Sequence, residues 1–584
     1  MEKNNKAPWI LVSAVAAALA LFLVLYWQSL IPVEPAGTGE TADELSHWTI
    51  EDSALNGLPL AEDKTIYPDT PDASVHDVYI SVFPTKDEEG NILDFSAFGK
   101  HVSRDHTYNP VLNCNVQILE EGEPLDPLAA LDTKNATIRV RGNSSRGDLY
   151  KSYKVKLSDE AETFDGQDVL NLNKHSEDIT KIATKLETDL LTDIPDTASY
   201  RTYFMRVFIR DASLPKEQQK FRYYGLYTHI EQPNKSYLER RSLSGGGSLY
   251  KARDFSFRLA DVLKDVDDPE YDEERFETVL SIREGDDHKK LLEMLEAVND
   301  TSRNFEDIFY QYFQEDNYLT WLAFQLLMGN QDIINHNFML YNPLNSNTWY
   351  FISWDFDGTL QFPPYESSLM KLPDSLKGIQ KLNQSVLHRR YLRMDGSIEK
   401  LQSKMEELLE RYITRDRVEQ YVDLYRPVVE QAVTYGPDLE LLEMSPDAYS
   451  EYLNHIYDGI LGNYEAFCKA LQYPAPMYLE KPRRSADGSV HIAWEPSYSY
   501  QGYAITYNVS IYKDYLMTDL VAEKRNVAET ACDIDAELPA GTYYLKVTAV
   551  DSQGHEQLSM ERFETMLTET RGYNVNGLLE FQLD

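Results

Sequence analysis

Cysteine is scarce in this sequence. Of 584 residues only three are cysteines, Cys114, Cys468 and Cys532, and they lie far apart. No CxxC pair or Cys/His cluster occurs, which argues against a structural zinc site, and an odd count does not suit a disulfide framework. The thiols are expected to be buried and inert. Positive charge is also in short supply, with 56 Lys and Arg against 96 Asp and Glu and a net charge of -40. Such a chain repels nucleic acid and anionic lipid, which both demand a basic face. The acidity serves solubility. No internal repeat is found, so a solenoid is excluded. Hydrophobic residues make up 42% and aromatics 12%. That is enough to build real cores, and the length implies two or three folded units.

Long apolar runs are absent except for one. Residues 9–31, WILVSAVAAALALFLVLYWQSLI, carry no charge, and about 20 such residues span a bilayer as a helix. A cleavable signal has a shorter core and a small-residue cleavage site, so an uncleaved anchor is expected. Lys3 and Lys6 precede the run while Glu34, Glu40, Asp43 and Glu44 follow it. The positive-inside rule then leaves the first residues in the cytoplasm and exports the rest. The expected location is the cell membrane, single-pass, with the C-terminal bulk outside the cell.

After a Pro- and Gly-containing acidic linker (32–70), alternating runs at 75–83, 114–120, 136–142 and 151–157 read as strands. The last two are expected to pair. From His288 onward the spacing of apolar residues is helical, with further amphipathic helices at 399–412 and 417–433. A mostly β half followed by a mostly helical half suggests two lobes around a cleft. A composition shift at Tyr473-Pro474-Ala475-Pro476 opens another series of short strands. Trp494 and the run from Leu538 through Tyr543 resemble a fibronectin type III domain, with Leu538 and Tyr543 forming its tyrosine corner. That module is assigned 473–570, followed by a tail, 571–584.

The chemistry concentrates in MGNQDIINHNFMLYNPLNSNTWYFISWDFDGTL, residues 328–360. Asp332 and Asn337 precede one strand-like run, and Asp355 and Asp357 follow the next. A hairpin would bring both pairs to one end. Phosphoryl transfer asks for little more: a carboxylate to orient a hydroxyl, and oxygen ligands that hold magnesium against phosphates. Asn337 lies five residues after Asp332, the spacing between catalytic Asp and metal-binding Asn in protein kinases, and Asp-Phe-Asp-Gly stands where kinases place Asp-Phe-Gly.

Several segments occur in the order found in the CotH kinase family, spore coat protein H and its relatives. They are RVRGNSSR (139–146), KSYKVKL (151–157), YYGLYTHIEQPNKSYLERR (223–241), LYKA (249–252), GNQDIINHNFMLY and WYFISWDFDGTL. The chain resembles this family across about 75–471, with the kinase-like domain assigned to 71–472. The resemblance implies an α+β, two-lobed atypical-kinase-like domain, here preceded by one transmembrane helix and followed by a β-sandwich. It implies transfer of the ATP γ-phosphate to Ser/Thr hydroxyls with Mg2+ or Mn2+.

Carried over residue by residue, Asp332 is the catalytic base, while Asn337, Asp355 and Asp357 hold the metal. Lys154 or Lys156 meets the ATP phosphates, with Lys154 preferred. Arg141, Asn143, Ser144 and Ser145 form a loop over them. It holds one glycine, unlike a Gly-rich loop. Glu231 is placed near the lobe junction and the adenine, and Glu187 is a guess for the glutamate that would pair with the ATP lysine. The pattern departs from many relatives at Ile333 and Ile334, where basic residues usually follow the catalytic Asp. That departure bears on substrate contacts. The implied partners are a protein substrate, the membrane, and a surface or cell-wall ligand of the fibronectin-like module, with no nucleic acid.

Two other readings compete. FISWDFDGTL also matches the DxDGT motif of haloacid-dehalogenase-type phosphatases, which would make Asp355 a nucleophile and Asp357 a general acid. That fold needs a doubly wound parallel sheet. Alternatively, the domain is an inactive kinase fold used as a surface scaffold or adhesion protein.

Overall fold

The strands expected after the linker close on themselves. The structure, a computed structural model, describes residues 56–584 apart from 126–130, 175, 363–373, 536–537 and 569–570. Its first strands are β1 (Val75–Val82), the short β2 (Thr85–Lys86) and β3 (Ile92–Leu93), β4 (Leu112–Glu120), β5 (Ala136–Arg141), β6 (Ser152–Leu157), β7 (Val169–Asn173), β8 (Thr202–Asp211) and β9 (Arg222–Ile230). All but β2 and β3 form a closed barrel in the order β1-β4-β5-β6-β7-β9-β8. Every pairing is antiparallel except β1 with β8. Period-two alternation explains the two faces. Ile138, Val140, Tyr153 and Val155 fill the interior with Ile80, Val116, Leu172 and Val207. Arg139, Arg141, Lys154 and Lys156 are therefore left on the outer face. β5 and β6 pair as the sequence suggested, with Arg139 opposite Lys154.

A second sheet follows, β11-β10-β12-β13, built from β10 (Ser248–Ala252), β11 (Leu280–Glu284), β12 (Phe338–Asn342) and β13 (Tyr350–Ser353). It is antiparallel throughout, so among the described residues β13 does not lie in the parallel sheet the phosphatase reading requires. The helix Glu315–Met328 is buried on nearly all sides, as befits a sequence apolar all round. Its Asn317 amide donates to the Phe351 carbonyl at 3.0 Å and accepts from the Phe351 N–H at 2.7 Å, which locks the helix to β13. The helices Ser397–Arg411 and Arg415–Ala432 form where the amphipathic pattern placed them.

The C-terminal strands make two sheets around one core that holds Trp494, Leu538, Tyr543 and Val547, with a separate two-stranded ribbon of 562–568 and 571–576. These strands run from β14 (Arg483–Arg484) to β23 (Leu579–Leu583), with β19 spanning Gly541–Asp551. The corner forms as expected, with the Tyr543 hydroxyl donating to the Pro539 carbonyl at 2.8 Å. The segment read as a tail contains β23, which pairs with β19. The barrel, the helical region and this sandwich belong to one compact unit. Cys114 and Cys532 are buried as expected, whereas Cys468 is partly exposed, and none forms a disulfide. Among the described residues no helix is long and apolar enough to cross a membrane. The anchor expected at 9–31 lies outside them.

Candidate phosphate-binding cleft

β12 and β13 pair with Phe338 opposite Ser353, so Asn337 and Asp355 emerge from the same end of the hairpin. The Trp354 N–H donates to the Asn337 carbonyl at 3.2 Å. Asn337 and Asp355 both sit at positive φ, 59° and 63°. Asn and Asp tolerate this conformation better than most residues, and paired outliers of this kind gather at functional sites. The loop before β12 starts where Gly329 ends the helix in the left-handed conformation, φ 74°. A relay of amides then links the two polar pairs. The Gln325 amide donates to the Ser353 hydroxyl at 2.8 Å and accepts from Asn330 at 2.7 Å. The Asn330 carbonyl oxygen accepts from the Asp332 N–H at 3.1 Å. Buried Gln325 and Asn330 thus set the two carboxylate-bearing loops in register, and sequence reading passed over both. Asp332 itself is exposed, while Ile333 and Ile334 turn into the core.

Asp357 lies close enough to Asp355 for the two to repel. Burial first, and then Asp355, pushes the Asp357 carboxyl well above its usual range. Among the described residues no cluster of three His, Cys, Asp or Glu ligands occurs. What the loop offers is two carboxylates and an amide oxygen, an all-oxygen set suited to Mg2+ or Mn2+ once phosphate and water complete it. The donor chemistry fits a hard cation.

Opposite these acids the cations crowd together. Lys251, on β10, has its ammonium 3.8 Å from Asp355 and over the ring of Trp354. Burial lowers it to about 8, against the pull of Asp355 and with Arg283, Arg141 and Arg253 adding to the shift. Lys154 is likewise held at about 8 by burial and by Arg139, Arg283 and Arg141. Arg141 is lowered to about 10, mainly by burial, with Asp355 and Asp357 opposing. Two donors here, Arg141 Nη1 and Arg283 Nε, are buried without an acceptor. Buried N–H groups are seldom left so.

The loop after β5 turns at Gly142, φ 100°, where a Cβ would sit 2.2 Å from the Ser145 hydroxyl. Asn143 meets His106 at 3.1 Å, and the same His106 nitrogen faces Arg253 at 3.3 Å. The exposed Asn143 and Ser144 and the half-buried Ser145 therefore sit on a loop tied across to the second sheet. Lys156 is more exposed than Lys154.

Glu231 follows β9, and its carboxylate is already engaged. Arg201 and Arg241 each donate to it at 2.6 Å. Burial alone would raise it, but the two guanidiniums hold it at about 2. Among the described residues Glu187 meets no lysine. It lies on the helix Ala183–Leu191 and accepts from Thr359, two residues past Asp357. Burial pushes its carboxyl well up. The lysine sequence reading overlooked is Lys251. The signal was there in SLYKA, a lone cation in an otherwise apolar central strand. Arg283 in LSIRE is a second case.

A β-barrel followed by a helical region, with a DxxxxN loop and an acidic hairpin end near a group of cations, is consistent with an atypical kinase-like protein. The family model for CotH kinase protein matches residues 138–456, more than half of the chain. The chain belongs to that family. It is 23% identical over 343 residues to the inner spore coat protein H of Bacillus subtilis (strain 168), covering 57% of this chain and 89% of that protein.

Proposed function

We propose that this chain is a membrane-anchored atypical protein kinase that transfers the γ-phosphate of ATP to Ser/Thr hydroxyls of surface or envelope proteins. One observation carries the reading: in a protein of net charge -40, six cations converge on one cleft, two with orphaned N–H donors, facing paired carboxylates. A polyphosphate satisfies the donors, and a divalent ion satisfies the acids. Asp332 would accept the proton of the acceptor hydroxyl. Asn337, Asp355 and Asp357 would hold the metal, which neutralises charge on the phosphates. Lys251 takes the place first assigned to Lys154 as the lysine nearest the metal-binding acid. Lys154 and Arg141 flank it, with the Asn143–Ser145 loop above. The similarity to a spore coat protein agrees with a surface location, and the segment at 9–31 would supply the anchor. The sandwich, read as a fibronectin type III module, would present the kinase to its surroundings.

The test is phosphate transfer from labelled ATP by the purified chain with Mg2+ or Mn2+, using Ser-rich or basic protein as acceptor. Asp332→Ala should lower transfer by about a thousandfold while leaving the melting temperature unchanged, because the side chain is exposed. Transfer that survives this substitution would refute the assignment. The absence of both transfer and nucleotide-dependent stabilisation would favour the inactive scaffold.

A further inference from the structure

The base loop has a second support, and it comes from the C-terminal sandwich. Lys381 lies on a short 3-10 segment, Gly378–Gln384. Its ammonium donates to the Gln331 carbonyl at 2.7 Å, one residue before Asp332. Burial lowers its pKa while Asp332 opposes the shift. An ammonium has three donors, so two remain beyond the one spent on Gln331.

The segment is gripped from the other side. Gln380, fully buried, donates to the carbonyls of Ala470 at 2.7 Å and Tyr473 at 3.2 Å. Buried Asn383 donates to the Tyr500 hydroxyl of the sandwich at 3.1 Å. Gln557, from the strand after β19, donates to Ser375 at 2.6 Å and Pro474 at 2.8 Å. Arg389 pairs with Glu495 at 2.6 Å. Pro474, Ala475 and Pro476, which the sequence suggested as a junction between modules, are buried. The sandwich is fastened to the segment that carries Lys381.

Resting on the kinase reading, we infer that Lys381 contacts the phosphoryl group in transfer and that the sandwich is the positioning element that holds it beside Asp332. In that step the bond from phosphorus to the ADP oxygen breaks and its electron pair stays on ADP. The acceptor oxygen bonds to phosphorus, and its proton passes to Asp332. Lys381 would offset negative charge on the phosphoryl oxygens on the acceptor side, while Lys251 serves the opposite side. The role that neighbouring basic residues would fill after Asp332 falls to a residue 49 positions away in the sequence, because Ile333 and Ile334 are spent on the core.

The first test needs no turnover. The full chain is treated with an amine-reactive acetylating reagent, with and without a non-hydrolysable ATP analogue and Mg2+, and modification at each lysine is read by peptide mass spectrometry. Protection of both Lys251 and Lys381 supports the inference. Protection of Lys251 alone leaves nucleotide binding standing and overturns the inference, whereas protection of neither removes the nucleotide reading itself. The second test is kinetic. Lys381→Met keeps the aliphatic stem, and should lower kcat about ten- to a hundredfold with KM for ATP and melting temperature little changed, while Lys381→Arg recovers much of the rate. Tyr500→Phe removes the acceptor that holds Asn383 and should lower kcat several-fold without altering KM for ATP. Wild-type kcat in Lys381→Met overturns the catalytic role. Wild-type kcat in Tyr500→Phe overturns the positioning role of the sandwich.

Discussion

Two groups of buried charge in this protein use the same residue types to opposite ends. Around Glu231 every guanidinium has an acid. Arg241 pairs with Glu231 at 2.6 Å and with Glu62 at 2.9 Å, and Arg201 pairs with Glu231 at 2.6 Å. Both arginines are raised above their usual values and Glu231 is driven down. In the cleft, Lys251 and Arg141 share Asp355, Glu277 stands nearest Arg283, and Lys154, Lys251, Arg141 and Arg283 are all lowered. The first group completes itself on folding, so it stabilises. On the proposed reading, the second is completed by an anion from outside. The direction of the shift separates the two even where burial is similar.

Breaking the complete group should have the largest effect. Glu231→Gln leaves Arg201 and Arg241 buried without their shared acid, and removing one partner of such a pair costs about 3–5 kcal/mol. Urea unfolding should show that loss, and a drop below about 1 kcal/mol would mean the network is not the clamp described. Breaking the incomplete group should do the reverse. Lys251→Met removes a cation from a crowd of cations, so stability should hold or rise. Affinity for the ATP analogue should weaken about ten- to a hundredfold, measured by calorimetry. A destabilised variant that binds nucleotide normally would erase the distinction between the groups.

Much of this site was legible in the sequence because local pattern carries it. The run from Asp332 to Asp357 encodes strand, turn and strand, and pairing follows from apolar alternation, so Asn337 and Asp355 could be brought together before any coordinates. KSYKVKL likewise shows which side chains face outward, and the structure puts Lys154 and Lys156 on that face. What local pattern does not carry is which distant elements cover the site. Lys251 belongs to a strand whose neighbours, β11 and β12, are set by tertiary pairing. Lys381 reaches the Gln331 carbonyl, beside Asp332, from a segment 50 residues away. Glu231 shows the converse. The resemblance placed it near the adenine, but its carboxylate is engaged by Arg241, ten residues on, and by Arg201. The closure of the first strands into a barrel was likewise invisible, because it depends on the parallel pairing of β1 with β8 across more than a hundred residues.

The smallest effect, and the one that sharpens the comparison most, is a pH dependence with opposite signs for binding and stability. Lys251 and Lys154 stand at about 8 in the folded protein, lowered from 10.5 by burial and then by the surrounding arginines, with Asp355 opposing the shift at Lys251. Below about 8 both are charged and the cleft attracts phosphate. As pH rises through that value they lose their protons, so nucleotide affinity should fall several-fold, the fall extending upward because bound phosphate favours the protonated form. Stability runs the other way. Between about 8 and 10.5 the unfolded chain holds protons that the folded cleft has released, so this contribution makes the ligand-free protein more stable as pH rises across that window. In Lys251→Met both slopes should shrink together while those of Glu231 chemistry, confined to acid pH, are untouched. Comparing wild type and Lys251→Met from about pH 7 to about pH 9.5, by nucleotide titration and by thermal unfolding, separates this contribution from other groups titrating in the same range. Affinity that stays flat over that span would mean that the two lysines do not meet the phosphates.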